Sequence, residues 1–113
     1  MKYMLLLYED EANWDGVEMT PEVMEPWMKY SQRVQEAGVY ISGAGLQPTT
    51  AATTVRVRGG KVLTTDGPFA ETKEQLGGYY LLECSDLDEA LRWAAEIPIA
   101  PVGSVEVRPL LDV

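Results

Sequence analysis

The sequence predicts an α+β fold in which two strand–helix–strand units contribute to one antiparallel sheet. Three observations carry that expectation. The run Tyr3-Met4-Leu5-Leu6 is echoed by Tyr79-Tyr80-Leu81-Leu82, and each precedes a helix-start signal. Those signals are Thr20-Pro21-Glu22, with an N-cap, a proline at the first helical position and a negative charge at the positive dipole end, and Asp86-x-x-Glu89, close to a capping box. Between the two units, Gly59-Gly60 separates two β-rich runs and reads as a two-residue hairpin turn.

The elements follow in order. Tyr3 to Tyr8 is apolar on both alternating faces, as in a strand covered on both sides. Glu9 to Met19 is acidic and irregular. Its Trp14 reads more readily as a lid on the core edge than as a ligand-stacking ring. After Thr20, the residues Val23, Trp27, Tyr30, Val34 and Ala37 recur at helical spacing and define a buried stripe. Pro26 lies inside this pattern and is expected to kink the first turns or delay the regular helix, and Gly38 closes it. Val39 to Leu46 is a strand whose glycines at 43 and 45 suggest a bulge or a close approach of backbone or ligand. Thr53 to Arg58 and Lys61 to Thr65 form the half-exposed hairpin, with Arg56 and Arg58 on one face, most simply solvated. Asp86 opens the second helix, with Leu87, Ala90, Leu91 and Ala94 as its core stripe; Pro98 and Pro101 end it. Val105 and Val107 face inward on a last strand.

The stretch from Thr65 to Tyr80 organises the rest. Asp66-Gly67-Pro68 is turn chemistry, and Gly67 before a proline is biased away from helix. Phe69 falls beyond this corner, where its ring can be aimed inward. Thr72-Lys73-Glu74-Gln75 fits the capping box and predicts one helical turn from Thr72 to Leu76, ended by Gly77. A strand from Gly78 to Cys84 follows. Strand, helix, strand, hairpin, strand, helix, strand is a ferredoxin-like order. The helices cover one sheet face. The other exposes Tyr and Leu side chains of the first strand and of Gly78 to Cys84. Large exposed apolar surfaces mark contacts, and a second copy laid on this one would hide them, so a homodimer is expected.

Composition bounds the rest. At 113 residues and 46% hydrophobic content, the chain is expected to form a single domain (1–113) with a real core. Its net charge of −9 disfavours nucleic acid and anionic membranes as partners. One cysteine, an apolar start too short for a signal peptide and no run long enough for a membrane span suggest a cytoplasmic protein.

The nonapeptide Asp66-Gly67-Pro68-Phe69-Ala70-Glu71-Thr72-Lys73-Glu74 resembles the signature of the YCII-related proteins, specifically the DGPF (DGPFAETKE) branch. The opening M-K-Y-M-L-L-L-Y, the G-A-G-L-Q-P at Gly43 to Pro48, the A-T-T-V-R-V-R at Ala52 to Arg58 and the closing V-E-V-R-P are also similar to that family. The resemblance covers essentially the whole chain. It implies a bacterial, ferredoxin-like dimeric α+β barrel and little about activity. Genes of that branch often lie beside, or are fused to, extracytoplasmic-function sigma factors, which implies a regulatory partner as an alternative. Some YCII-related proteins carry a His–Asp pair proposed as catalytic. By helix alignment the histidine falls near Trp27 here, and this chain has no histidine at all.

The absence of histidine removes Ser-His-Asp and Cys-His mechanisms, the commonest general base and His-containing metal sites. Cys84, in an apolar strand with nothing basic beside it, reads as a buried inert thiol. No ion loop, dinucleotide fingerprint or P-loop is present, so neither metal nor cofactor is expected. The sequence does not assign a reaction. Asp66 or Glu71 is the candidate acid or base if burial raises its pKa. The expected ligand site comprises Asp66, Phe69, Glu71, Lys73, Tyr30 and Tyr79, in a cleft between the sheet and the first helix edged by the Asp66–Glu71 turn. Tyr80 is a further hydrogen-bond donor, and Arg56, Arg58, Lys73 and Arg108 are groups able to hold an anion. In the rival, non-catalytic reading the acidic run from Glu9 to Glu25, with seven carboxylates and no Lys or Arg, meets a basic partner such as the sigma factor.

Overall fold

A computed structural model describes residues 1–112. β1 (Lys2–Glu9) leads through a loop containing one 3-10 turn (Glu11–Trp14) into α1 (Pro21–Glu36). Then come β2 (Tyr40–Gly45), a second short 3-10 turn (Thr49–Ala51), the hairpin of β3 (Thr53–Arg58) and β4 (Lys61–Asp66), β5 (Gln75–Glu83), α2 (Leu87–Ala95) and β6 (Ser104–Pro109). β2, β5, β1 and β6 form one sheet in that order, with every neighbouring pair antiparallel. The fold is α+β and ferredoxin-like. The two strands that are apolar on both faces, β1 and β5, occupy the centre, where both faces must be shielded.

Local signals set the helices. The Thr20 hydroxyl accepts from the Val23 N–H at 3.3 Å, with Pro21 at the first position. The Asp86 carboxylate accepts from the Glu89 N–H at 2.9 Å, while Glu89 reaches back to the Ser85 N–H at 2.7 Å. The helix passes through Pro26 as one continuous element. Both helices lie on one face of the sheet, over Tyr3, Leu5 and Leu7 of β1 and Tyr80 and Leu82 of β5. Tyr30 and Val34 of α1 and Ala90 and Ala94 of α2 complete that core. The Tyr30 hydroxyl donates to the Trp93 carbonyl at 2.9 Å, and its ring meets those of Tyr80 and Trp93 edge-on at 5.1 and 6.2 Å. Cys84 is buried, and burial pushes its thiol pKa up.

The hairpin turn has φ +57° and +76° at Gly59 and Gly60, values that a Cβ would resist. Beyond its base, where the Gly67 N–H reaches the Ala52 carbonyl at 2.7 Å, the hairpin stands away from the four-stranded sheet. That arm accounts for a radius of gyration of 16.0 Å, against about 13 Å for a compact chain of this size.

Three local expectations are corrected. No helical turn forms at Thr72–Leu76. β5 begins at Gln75 instead, where Gln75 pairs with Glu9 and Leu76 with Tyr8, and the Thr72 hydroxyl donates to the Glu74 carbonyl at 2.6 Å rather than capping. Extending an existing ladder outweighs a one-turn helix, whose nucleation is unfavourable. Phe69 is 78% exposed rather than turned inward, because its corner follows β4 of the hairpin, which is not part of the four-stranded sheet. Leu87 and Leu91 are each 47% exposed: α2 meets the sheet through its alanines, whose size allows close approach, and leaves the leucines at the rim. Among the described residues no helix is long and apolar enough to cross a membrane.

Candidate functional site

A cavity of about 470 Å³ lies between the sheet and the N-terminal half of α1, within the usual range for small-molecule sites. It exists because of what the sheet lacks. Along the helix-facing side, Gly43 pairs with Tyr80, and Gly45 pairs with Gly78, which in turn faces Leu7 on β1. Between the Leu7 and Tyr80 side chains the floor is therefore bare backbone at these glycines. A Cβ at Gly78 would fall 2.8 Å from the Ala44 carbonyl oxygen, so strand approach itself demands glycine there. Opposite the floor, Met24, Trp27 and Ser31 share the facing stripe of α1, and the loop after β1 contributes Trp14 and Met19.

The mouth is polar and pinned. The Trp14 indole N–H donates to Glu9 at 2.5 Å. The Glu11 carboxylate accepts from the Thr49 N–H at 3.0 Å and from the Thr49 hydroxyl, tying the loop after β1 to the connector after β2. Gln75 accepts from the Glu11 N–H at 2.9 Å, which fixes the same loop to the start of β5. At the inner end, the hydroxyls of Ser31 and Tyr80 lie 3.4 Å apart. Burial raises the Tyr80 pKa, partly offset by the Ser31 hydrogen bond, so the phenol stays protonated at neutral pH and either hydroxyl can donate to the other. The arrangement supplies a preformed apolar hollow, aromatic faces, one partly buried hydroxyl pair and a carboxylate rim. No three His, Cys, Asp or Glu side chains among the described residues come together as a metal site would need.

Of the residues singled out in the sequence, Tyr80 lines this cavity with its side chain, while Tyr79 borders it through backbone and turns its side chain to the other sheet face. Tyr30 lies in the core beside Tyr80, 1% exposed, and burial raises its pKa. Asp66 ends β4 opposite Thr53 and is exposed, as are Phe69, Glu71 and Lys73. Within one chain the cavity edge is built by Gln47–Pro48 and Gln75–Gly77, not by the Asp66–Glu71 turn. Arg56 reaches that turn from the hairpin, its guanidinium 3.5 Å from the Phe69 carbonyl. Trp14, Trp27, Glu9, Glu11 and Gln75 were not marked as site residues. The available signal was the strand glycines, whose alternation puts 43 and 45 on one face.

The sequence profile of the YCII-related domain matches residues 1–113. The chain belongs to the YCII-related family. The uncharacterized protein R00369 of Rhizobium meliloti (strain 1021) is 45% identical to it over 115 residues, covering 97% of this chain and 92% of that protein. Within this YCII-related chain, Trp27, the position where the histidine of some family members is expected to align, is a wall of the cavity.

Proposed function

We propose that this YCII-related protein, of the DGPF branch, is a homodimeric α+β barrel that holds a small polar molecule in the cleft between its sheet and α1. The observation that carries this is the glycine-floored cavity with its mouth fixed by the Glu11–Thr49 and Gln75–Glu11 hydrogen bonds. A preformed hollow lowers the ordering cost of binding. Any reaction there is acid–base chemistry using carboxylates and phenols, without metal or cofactor. The dimer is supported by the sheet face away from the helices, where Leu6 pairs with Tyr79 and Met4 with Leu81 and none is fully buried. It is supported equally by the hairpin, whose Val55, Val57 and Val62 share an exposed face; two strands alone are marginal in water. A second copy also offers the exposed Asp66–Lys73 turn a surface to border. The single buried thiol suits a reducing cytoplasm.

A thermal-shift screen of a metabolite library tests the reading, since a ligand of the native state raises Tm by mass action. Stabilisation of the wild type by a compound that no longer stabilises Gly45→Leu is the expected result. A library that stabilises neither would reject the cleft.

A second reading, a regulatory module acting with an extracytoplasmic-function sigma factor, draws on Asp15, Glu18 and Glu22, which are exposed and make no ion pair among the described residues. Retention of a neighbouring sigma factor on the immobilised protein, abolished when these charges are reversed, would favour it. Retention indifferent to them would count against it.

A further inference from the structure

We propose that the cleft, read as above to be a ligand site, selects an organic cation: an ammonium carried on a flat aromatic or short alkyl body. Both ionisable side chains lining the cavity with a formal charge at neutral pH are acidic, Glu9 and Glu11, and no lysine or arginine lines it. Both carboxylates are half-buried at the mouth of an apolar hollow. There, low-dielectric walls focus their negative field inward rather than letting water screen it. The hydrogen bonds from Trp14 and Thr49 hold these carboxylates in place without exhausting their acceptor sites.

The walls point the same way. Trp14, Trp27 and Tyr80 contribute aromatic surface around the space, and the faces of such rings attract cations. Met19 and Met24 close the remaining side with flexible thioethers that adapt to a ligand's outline. A carboxylate or phosphate ligand would meet two like charges and no cationic partner. A neutral ligand would use the rings and leave the rim idle.

The test uses three probes with one aromatic body and different charge: phenethylammonium, phenethyl alcohol and phenylacetate, titrated into the full chain at low salt and followed by calorimetry. Phenethylammonium is expected to bind about tenfold more tightly than the alcohol, and phenylacetate most weakly. In Glu9→Gln, whose amide oxygen can still accept from Trp14, the ammonium-to-alcohol ratio should fall towards one. In Gly45→Leu all binding should weaken together. Equal affinity of the three probes would overturn the cation inference and leave the cleft reading standing. Ammonium binding that survives in Gly45→Leu would place the cation elsewhere on the acidic surface and also overturn it. No binding by any probe would remove both.

Discussion

The ring of Tyr80 lies directly across Gly43: a Cβ on residue 43 would meet Tyr80 Cδ1 at 2.9 Å and the Tyr79 carbonyl oxygen at 3.0 Å. One of these neighbours is backbone, and the other is a buried ring already held edge-on by Tyr30. Neither yields cheaply. Gly43→Ala should therefore lower stability by about 1–3 kcal/mol, the usual cost of overpacking. Urea unfolding checks the value. An unchanged midpoint would mean that β2 and β5 are more loosely paired than the structure has them.

Gly45 is the converse case on the same strand. A Cβ there meets nothing within 4 Å, and its backbone does not have the positive φ that glycine alone tolerates readily. Gly45→Leu should fold, place its side chain in the hollow and raise stability by up to about 1–2 kcal/mol through apolar burial. Ligand binding should be lost at the same time. A gain in Tm together with loss of binding is a combination that general damage does not produce.

How much of this was legible beforehand depends on range. The caps at Thr20 and Asp86 and the Gly59–Gly60 hairpin are properties of four or fewer consecutive residues, and the chain honours each of them. The apolar character of β1 and β5 on both faces likewise places them centrally. Thr72–Gln75 satisfies an equally local rule and loses, because Gln75 and Leu76 find partners on Glu9 and Tyr8. The cavity was harder to see. Its floor is made of missing side chains, and its rim depends on Glu11 meeting Thr49 across 38 positions, a contact that no periodicity announces. Trp27 carries the right spacing for a core stripe and so reads as core. Only the opposing Gly45–Gly78 pair leaves space beside it.

The Glu11–Thr49 contact gives a third prediction. Glu11→Ala removes an acceptor from a backbone N–H and a hydroxyl, both partly sheltered. The expected loss is about 1–3 kcal/mol, as for hydrogen bonds to a charged group. The effect should concentrate in residues 9–14 and 47–51, read as faster amide exchange there than in β1 or β5. Uniformly faster exchange would show that the pin serves the whole fold rather than the mouth.

Alkaline pH tests the buried phenols. Tyr30 and Tyr80 both have pKa values raised mainly by burial, above the ordinary value of about 10. Below that value both folded and unfolded states keep the proton, and the stabilisation is fully present. Above it the unfolded chain ionises first, so stability falls as pH rises towards the folded values. Denaturation curves at increasing alkaline pH should show this decline. In Tyr30→Phe the decline should be shallower. Starting stability should also be lower by about 1–2 kcal/mol, because the Trp93 carbonyl loses its donor. A decline of equal slope in both proteins would assign the alkaline sensitivity to other groups.

The open sheet face sets the last prediction. Leu81 pairs with Met4 and adjoins the Leu6–Tyr79 pair, at the middle of the surface that the helices leave uncovered. If that surface is the barrel interface, Leu81→Asp buries an unpaired carboxylate in an apolar contact, at a cost that a dimer cannot absorb. The variant should sediment as a monomer where the wild type sediments as a dimer, and the wild-type Tm alone should rise with protein concentration. Because Leu81 is only half-buried in the single chain, its replacement should spare the secondary structure seen by far-ultraviolet circular dichroism. A wild type that is monomeric at high concentration, or a variant that stays dimeric, would send the search for the interface to Val55, Val57 and Val62 on the hairpin.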